Sequence, residues 1–236
     1  MMRFMTQTAA KPPHHAGSYT AIVFPLLFML VFLMHFRAPG DFFHFKLHYV
    51  PRDPARVVTA LVNAQNHWPM IHDPHVLGYL GLPFLLVCAY TLFRVSRAAR
   101  PRLSAIAMFV TGAGTIYMGG LFGMWTAFYR GLGGVDPAHL DGAIATFTAM
   151  TAPQGAFLLT TTLAKFGLIG LAVQGLLLWG LPRVRAAAPV LIALGSLTIV
   201  TFWDLDNWML IGMTLIFVGF LLLMPALREV SGLSGE

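Results

Sequence analysis

Charge is what this chain of 236 residues has least of: Asp, Glu, Lys and Arg make up 10% of it, against about 25% in a typical soluble domain. So small a polar complement cannot cover a water-facing surface, which excludes an ordinary soluble enzyme or binding module. Acids are scarcest, nine against fifteen bases. The basic excess still does not point to nucleic acid, because the Lys and Arg residues flank apolar runs and form no basic face interleaved with aromatics. Cysteine is nearly absent. Cys88 is the only one, so no intrachain disulfide can form, and its place inside an apolar run reads as a small buried hydrophobe. A P-loop, a GxSxG elbow, a CxxC pair, an HExxH motif and a dinucleotide fingerprint are all missing from any supporting context. No catalytic residue is assigned, and whether the chain is an enzyme stays open.

What fills the space is apolar: 57% of residues are hydrophobic and the mean hydropathy is +0.73. A spanning helix needs roughly 20 apolar residues. Six segments meet or approach that length: 19–36, 75–93, 103–129, 153–181, 188–203 and 208–227. The fifth is short, and is kept because the sixth must return to the side its basic flank prefers. The first is longer than a signal-peptide core and is followed by His35-Phe36-Arg37-Ala38-Pro39, not a small-residue cleavage site. The expected fold is therefore all-α, a polytopic six-transmembrane-helix bundle with two short surface helices on its outer side. Residues 1–17 form one tail, 18–227 a single membrane domain with outer loops at about 37–74 and 130–152, and 228–236 the other tail.

Orientation follows from basic residues. Arg94, Arg97, Arg100 and Arg102 crowd the link between the second and third segments, and Arg183 and Arg185 that between the fourth and fifth. With Arg3, Lys11 and Arg228 near the ends, the positive-inside rule puts both termini in the cytoplasm of a bacterial-type inner membrane. Arg37, Lys46, Arg52 and Arg56 oppose this from a longer loop, where the rule is weaker. Seven of the acids fall outside: Asp41, Asp53, Asp73, Asp136, Asp141, Asp204 and Asp206. Trp68, Trp125, Trp203 and Trp208 fall there too, as an interfacial belt would. Asp53-Pro54 and Asp136-Pro137 each open a short amphipathic surface helix, with Asp as N-cap and Pro at the first helical position. The two copies suggest a parallel internal repeat.

Histidine carries the densest chemical signal. His44 and His48 share a helical face if that stretch is helical, and His67, His72 and His75 follow, with Asp73 as ligand or orienter. Neutral imidazoles suit zinc, copper or iron; the competing reading is a set of interfacial histidines satisfied by water and headgroups. Haem b is the other cofactor candidate, held between His35 and His72 or His75. Lys165 lies inside the fourth segment, where a lysine costs about 2.5–3.5 kcal/mol and must find a partner or snorkel to the interface. Gln154, Thr161 and Thr162 are placed on its face as a polar stripe. Asp204 and Asp206, in the turn between the last two segments, are the nearest acids by depth, although capping and anchoring also explain that turn. Gly112, Gly114, Gly119, Gly120, Gly123, Gly167 and Gly170 read as close-packing positions, with Gly119 and Gly123 forming a GxxxG.

Three functions fit this pattern. The first is a non-enzymatic accessory or ligand- or metal-binding subunit whose polar site lies on the outer face. The second is a small-solute or ion transporter using the Lys165 stripe. The third is a redox subunit binding haem or quinone. The lipid bilayer, and other membrane subunits, are the expected partners; nucleic acid is not.

Overall fold

In the computed structural model the described residues are 19–34, 36, 39–43, 74–133, 136–152, 154–203 and 205–232. Seven helices are numbered α1–α7 in chain order. They are α1 (Val23–Leu33), α2 (Pro74–Ser96), α3 (Pro101–Gly133), α4 (Leu140–Thr151), α5 (Gly155–Leu176), α6 (Ala187–Thr201) and α7 (Asp206–Gly232). Short 3-10 turns span Pro39–Phe43 and Pro137–His139. Among the described residues there is no strand. Stretches in α2, α3, α5 and α7 are long and apolar enough to cross a membrane, and α1 and α6 are shorter apolar helices. The surface agrees: Phe109 and Ile116 of α3 are 75% and 76% exposed, while Ser96, Ser104, Thr111, Thr115, Gln174 and Ser196 are buried. A bundle that turns large apolar side chains outward while burying hydroxyls and an amide is solvated by lipid. The chain is an all-helical, multi-pass membrane protein.

The packing closes a ring. α1 lies against α2, α2 against α3, α3 against α5, α5 against α6, α6 against α7, and α7 returns to α1. Helix ends alternate, so two unlike ends result. The end of α2 and start of α3 carry Arg94, Arg97, Arg100 and Arg102; we call this the arginine end. The start of α7 carries Asp206, at the acidic end. The 3-10 turn at Pro137–His139 is closed by Asp136, whose Oδ1 accepts from the Ala138 N–H at 2.9 Å. It leads into α4, which packs on that turn and outside the ring. Asp136 and Pro137 thus open a 3-10 turn and not the α-helix itself, whose N-cap is His139; the helix expected after Asp53-Pro54, and with it the internal repeat, lies outside the described residues.

Several boundaries differ from the apolar runs. α3 begins with Pro101, suited to a first helical position, and its 33 residues make it about 50 Å long. α5 stops at Leu176 and not at 181, because Gly180 turns at φ 75° and Pro182 cannot continue a helix. Arg100 caps this end: its Nη1 donates to the Leu177 carbonyl at 2.8 Å and its Nη2 to the Trp179 carbonyl at 3.1 Å. In α1, Pro25 has no N–H to offer the Ala21 carbonyl. The Cys88 thiol donates to that carbonyl instead, at 2.8 Å. The lone cysteine is thus fully buried, and it repairs a broken helix ladder.

Glycines set how closely the helices approach. A Cβ on Gly114 would collide with the backbone of Gly167, and one on Gly170 with Thr111, so α3 and α5 cross at backbone contact. α6 and α7 do the same through Gly195, Gly212 and Gly219. The GxxxG pair is not the crossing: Gly119 meets a Leu82 methyl at 3.4 Å and Gly123 has nothing within 4 Å. Gly114→Val is therefore expected to destabilise the protein by at least ~1–3 kcal/mol through overpacking, as read by thermal unfolding in detergent. Gly123→Ala should be neutral or up to ~1 kcal/mol stabilising, since Ala is the better helix former. Equal losses from the two would sink this assignment of the crossing.

Candidate functional site

The α6–α7 turn builds one wall of the site. The Leu205 N–H bonds the Phe202 carbonyl at 2.9 Å, tightening the link. Asp206 then enters as the first residue of α7, where the helix dipole favours an anion. Asn207 donates from Nδ2 to the Phe42 carbonyl at 3.3 Å, tying the Pro39–Phe43 turn to the start of α7. Trp208 stacks on Phe202 with centroids 4.5 Å apart, as an anchoring tryptophan would. Trp203 does not join it in a surface belt: it turns into the bundle and lines a cavity.

α2 and α3 supply the facing wall. Pro74 occupies the first position of α2, and His75 follows at the helix start. Its ring stacks on Trp125, with centroids 5.7 Å apart and planes 22° apart. Trp125 meets Phe157 of α5 edge-on at 5.9 Å, so it too faces inward and leaves the expected belt. Phe28 of α1 packs edge-on to Phe122 at 5.8 Å. Between these walls is a cavity of about 80 Å³. Its lining is aromatic, aliphatic and methionine (Met118, Met209, Met213), with His75 and Asp206 as its ionisable side chains among the described residues.

Volume decides which ligands are in question. A water occupies about 30 Å³ of liquid, and an engineered cavity of about 150 Å³ admits benzene. The space here suits two or three waters or one small ion, and has no room for a haem macrocycle. Its walls present aromatic faces, a carboxylate, an imidazole and thioether sulfurs, all of which are electron-rich. That chemistry favours a cation.

Lys165 stands beside this space. It lies at the middle of α5, and its Nζ is 5.6 Å from the centroid of the Trp203 ring. A cation–π contact of this kind contributes about 0.5–2 kcal/mol. One turn earlier, Thr161 has a buried Oγ1 with no hydrogen-bond partner among the described residues. Thr162 is exposed, so it is not on the same inward face. Gln154 is exposed at the N-cap of α5, and eleven residues of helix put it about 16 Å from Lys165 along the axis. The expected stripe reduces to Thr161 and Lys165.

Of the proposed metal ligands only His75 is described. His44, His48, His67, His72 and Asp73 lie outside the described residues, as do His35 and Asp204. Among the described residues no three His, Cys, Asp or Glu side chains are close enough to hold a metal ion. The inward roles of Trp125 and Trp203 were not anticipated. Neither was Gln174, fully buried, whose amide in its satisfied orientation donates to the Ala89 carbonyl and accepts from the Met108 N–H, both at 3.1 Å. Comparison with known protein families, curated proteins and solved structures finds no match to this chain.

The Lys165–Trp203 contact is testable by a double-mutant cycle of Lys165→Met and Trp203→Leu, read as unfolding free energy. A coupling of about 0.5–2 kcal/mol is expected. A coupling below about 0.3 kcal/mol would show that the ammonium is not held on the ring.

Proposed function

We propose that this membrane protein spans a bacterial-type inner membrane six times, with both termini and the arginine end in the cytoplasm. Its role is that of a non-enzymatic ligand-binding or accessory subunit, whose site opens towards the outer face and accepts a small cation, either a metal ion or a small amine. One observation carries the reading: a cavity in the acidic half of the bundle whose ionisable side chains, among the described residues, are His75 and Asp206, set in aromatic and methionine walls. The clustering of Arg94, Arg97, Arg100, Arg102, Arg183 and Arg185 at the opposite end supports the orientation. The α1 and α6 helices are about 17 and 23 Å long at 1.5 Å per residue, short of a core of about 30 Å. They complete the crossing count by closing the ring between longer neighbours, with the bilayer and the adjoining turns accommodating the mismatch. His44, His48, His67, His72 and Asp73 precede His75 in the sequence and are the further candidate ligands of this reading.

Native purification followed by elemental analysis and mass spectrometry of released small molecules tests the site. About one cation or amine per chain is expected, falling at least tenfold in Asp206→Asn and in His75→Ala, and retained in Asp141→Asn on the exposed α4. A wild-type protein that releases neither would end the cation-binding reading.

A second reading, a transporter, is favoured by the mid-helix Lys165 and the unpartnered Thr161 hydroxyl next to it. Here Lys165 serves as the titratable or ion-repelling group of a polar route. Proton or monovalent-cation flux into proteoliposomes should then fall at least tenfold in Lys165→Met. Flux equal to wild type would take Lys165 off the route.

A further inference from the structure

We propose that the arginine end holds an anionic phospholipid headgroup, in a site formed by the α2–α3 link and the link that follows α5. The proposal rests on the membrane-spanning reading, and is independent of the cavity at the other end. Two short basic links would be expected to drift apart, since like charges repel. They are instead fastened together by Arg100, which reaches from the first link to the Leu177 and Trp179 carbonyls of the second. Two of its five N–H donors are used in doing so. Arg102 and Arg185 are left exposed on the two sides of this clasp, and Arg97 lies over the Phe93 ring at 5.9 Å. Of the acids in the described elements, Asp41, Asp136, Asp141 and Asp206 belong to the acidic end, and Glu229, near the end of α7, to the arginine end. In formal charge Glu229 is offset by its neighbour Arg228. The chain brings the positive charge together and does not supply an equal negative charge to balance it.

Depth selects the partner. The headgroup layer on each side of a bilayer is roughly 5–8 Å thick, and links this short keep their guanidinium groups within it. Tyr90, 51% exposed, lies one turn before Arg94 on α2, and Trp179, 50% exposed, lies in the second link itself, both suited to the interface. A guanidinium in that layer meets phosphate oxygens, which it binds in a bidentate fork. A soluble acidic protein or an RNA would have to enter the headgroup layer to reach the same groups. Each basic residue at an anionic leaflet strengthens attraction by a factor of about five.

The test is lipid retention. Protein in nanodiscs of equal phosphatidylglycerol and phosphatidylcholine is released and analysed by native mass spectrometry. The wild type should retain phosphatidylglycerol at least tenfold over phosphatidylcholine. Arg97→Gln/Arg102→Gln/Arg185→Gln should bring that ratio near one, while the same three positions changed to Lys should keep most of the enrichment. If the triple Gln variant does not fold, Arg102→Gln alone should lower the ratio about fivefold. A wild-type ratio near one, an unchanged ratio in the folded Gln variants, or equal loss in the Lys variant would overturn the proposal. So would RNA or an acidic peptide binding these arginines without lipid enrichment.

Discussion

In a hydrocarbon surrounding, every backbone carbonyl and N–H must find a partner within the protein, and much of this structure is a response to that demand. Pro25 removes one donor from α1, and a thiol 63 residues later along the chain, Cys88, takes its place at the Ala21 carbonyl. Ser96, Thr111, Thr115, Ser196 and Thr214 each fold their hydroxyls back onto a carbonyl four residues earlier, at 2.7–2.9 Å. α5 ends in free carbonyls, as any helix does, and Arg100 supplies the N–H groups. In each case the partner is a side chain from another part of the chain or from the next turn of the same helix. These solutions are also what hold the helices in register.

Close approach follows from the same constraint. Lipid offers no hydrophobic drive for one apolar helix to prefer another over the bilayer, so association depends on packing and on interhelical polar contacts. The α3–α5 crossing uses both. Gly114, Gly167 and Gly170 remove the side chains that would hold the backbones apart. Gln174, about two and a half turns beyond Lys165 and fully buried, bonds α2 and α3 from α5. With that crossing set, the aromatic rings of α1, α2, α3 and α5 meet at the acidic end, where the helices leave a space that they do not fill.

Much of this was legible in the residue order, because membrane crossing leaves its mark on composition. The apolar runs located α1–α3 and α5–α7, the Asp136-Pro137 pair located a capped turn, and the arginines marked one end. What could not be read was the direction each side chain takes around its helix. A tryptophan is suited equally to an interface and to a pocket wall, so Trp125 and Trp203 gave no sign of turning inward. Spacing within α3 offered Gly119 and Gly123 as the obvious pair, but which small residues touch depends on the crossing of two helices, and Gly114 is the one that meets α5. The Pro25–Cys88 relation is equally non-local. Gln154 and Thr162 joined Lys165 only on the assumption of a continuous inward face, which α5 does not present.

The two ends of the ring are solved differently, and that difference bears on Lys165. At the arginine end the carbonyls that close α5 are capped by Arg100. At the acidic end the described hydroxyls of Thr126 and Thr161 are buried without partners, and a cavity remains. Lys165 sits between these regimes. A lysine at mid-membrane costs about 2.5–3.5 kcal/mol, and its contact with the Trp203 face returns about 0.5–2 kcal/mol. Taken alone the exchange is unfavourable by about 0.5–3 kcal/mol, so stability does not account for a cation at that position. An uncharged residue of similar length would pack there at lower cost, and a charge kept at a net loss beside an electron-rich cavity is better understood through what the site binds or moves.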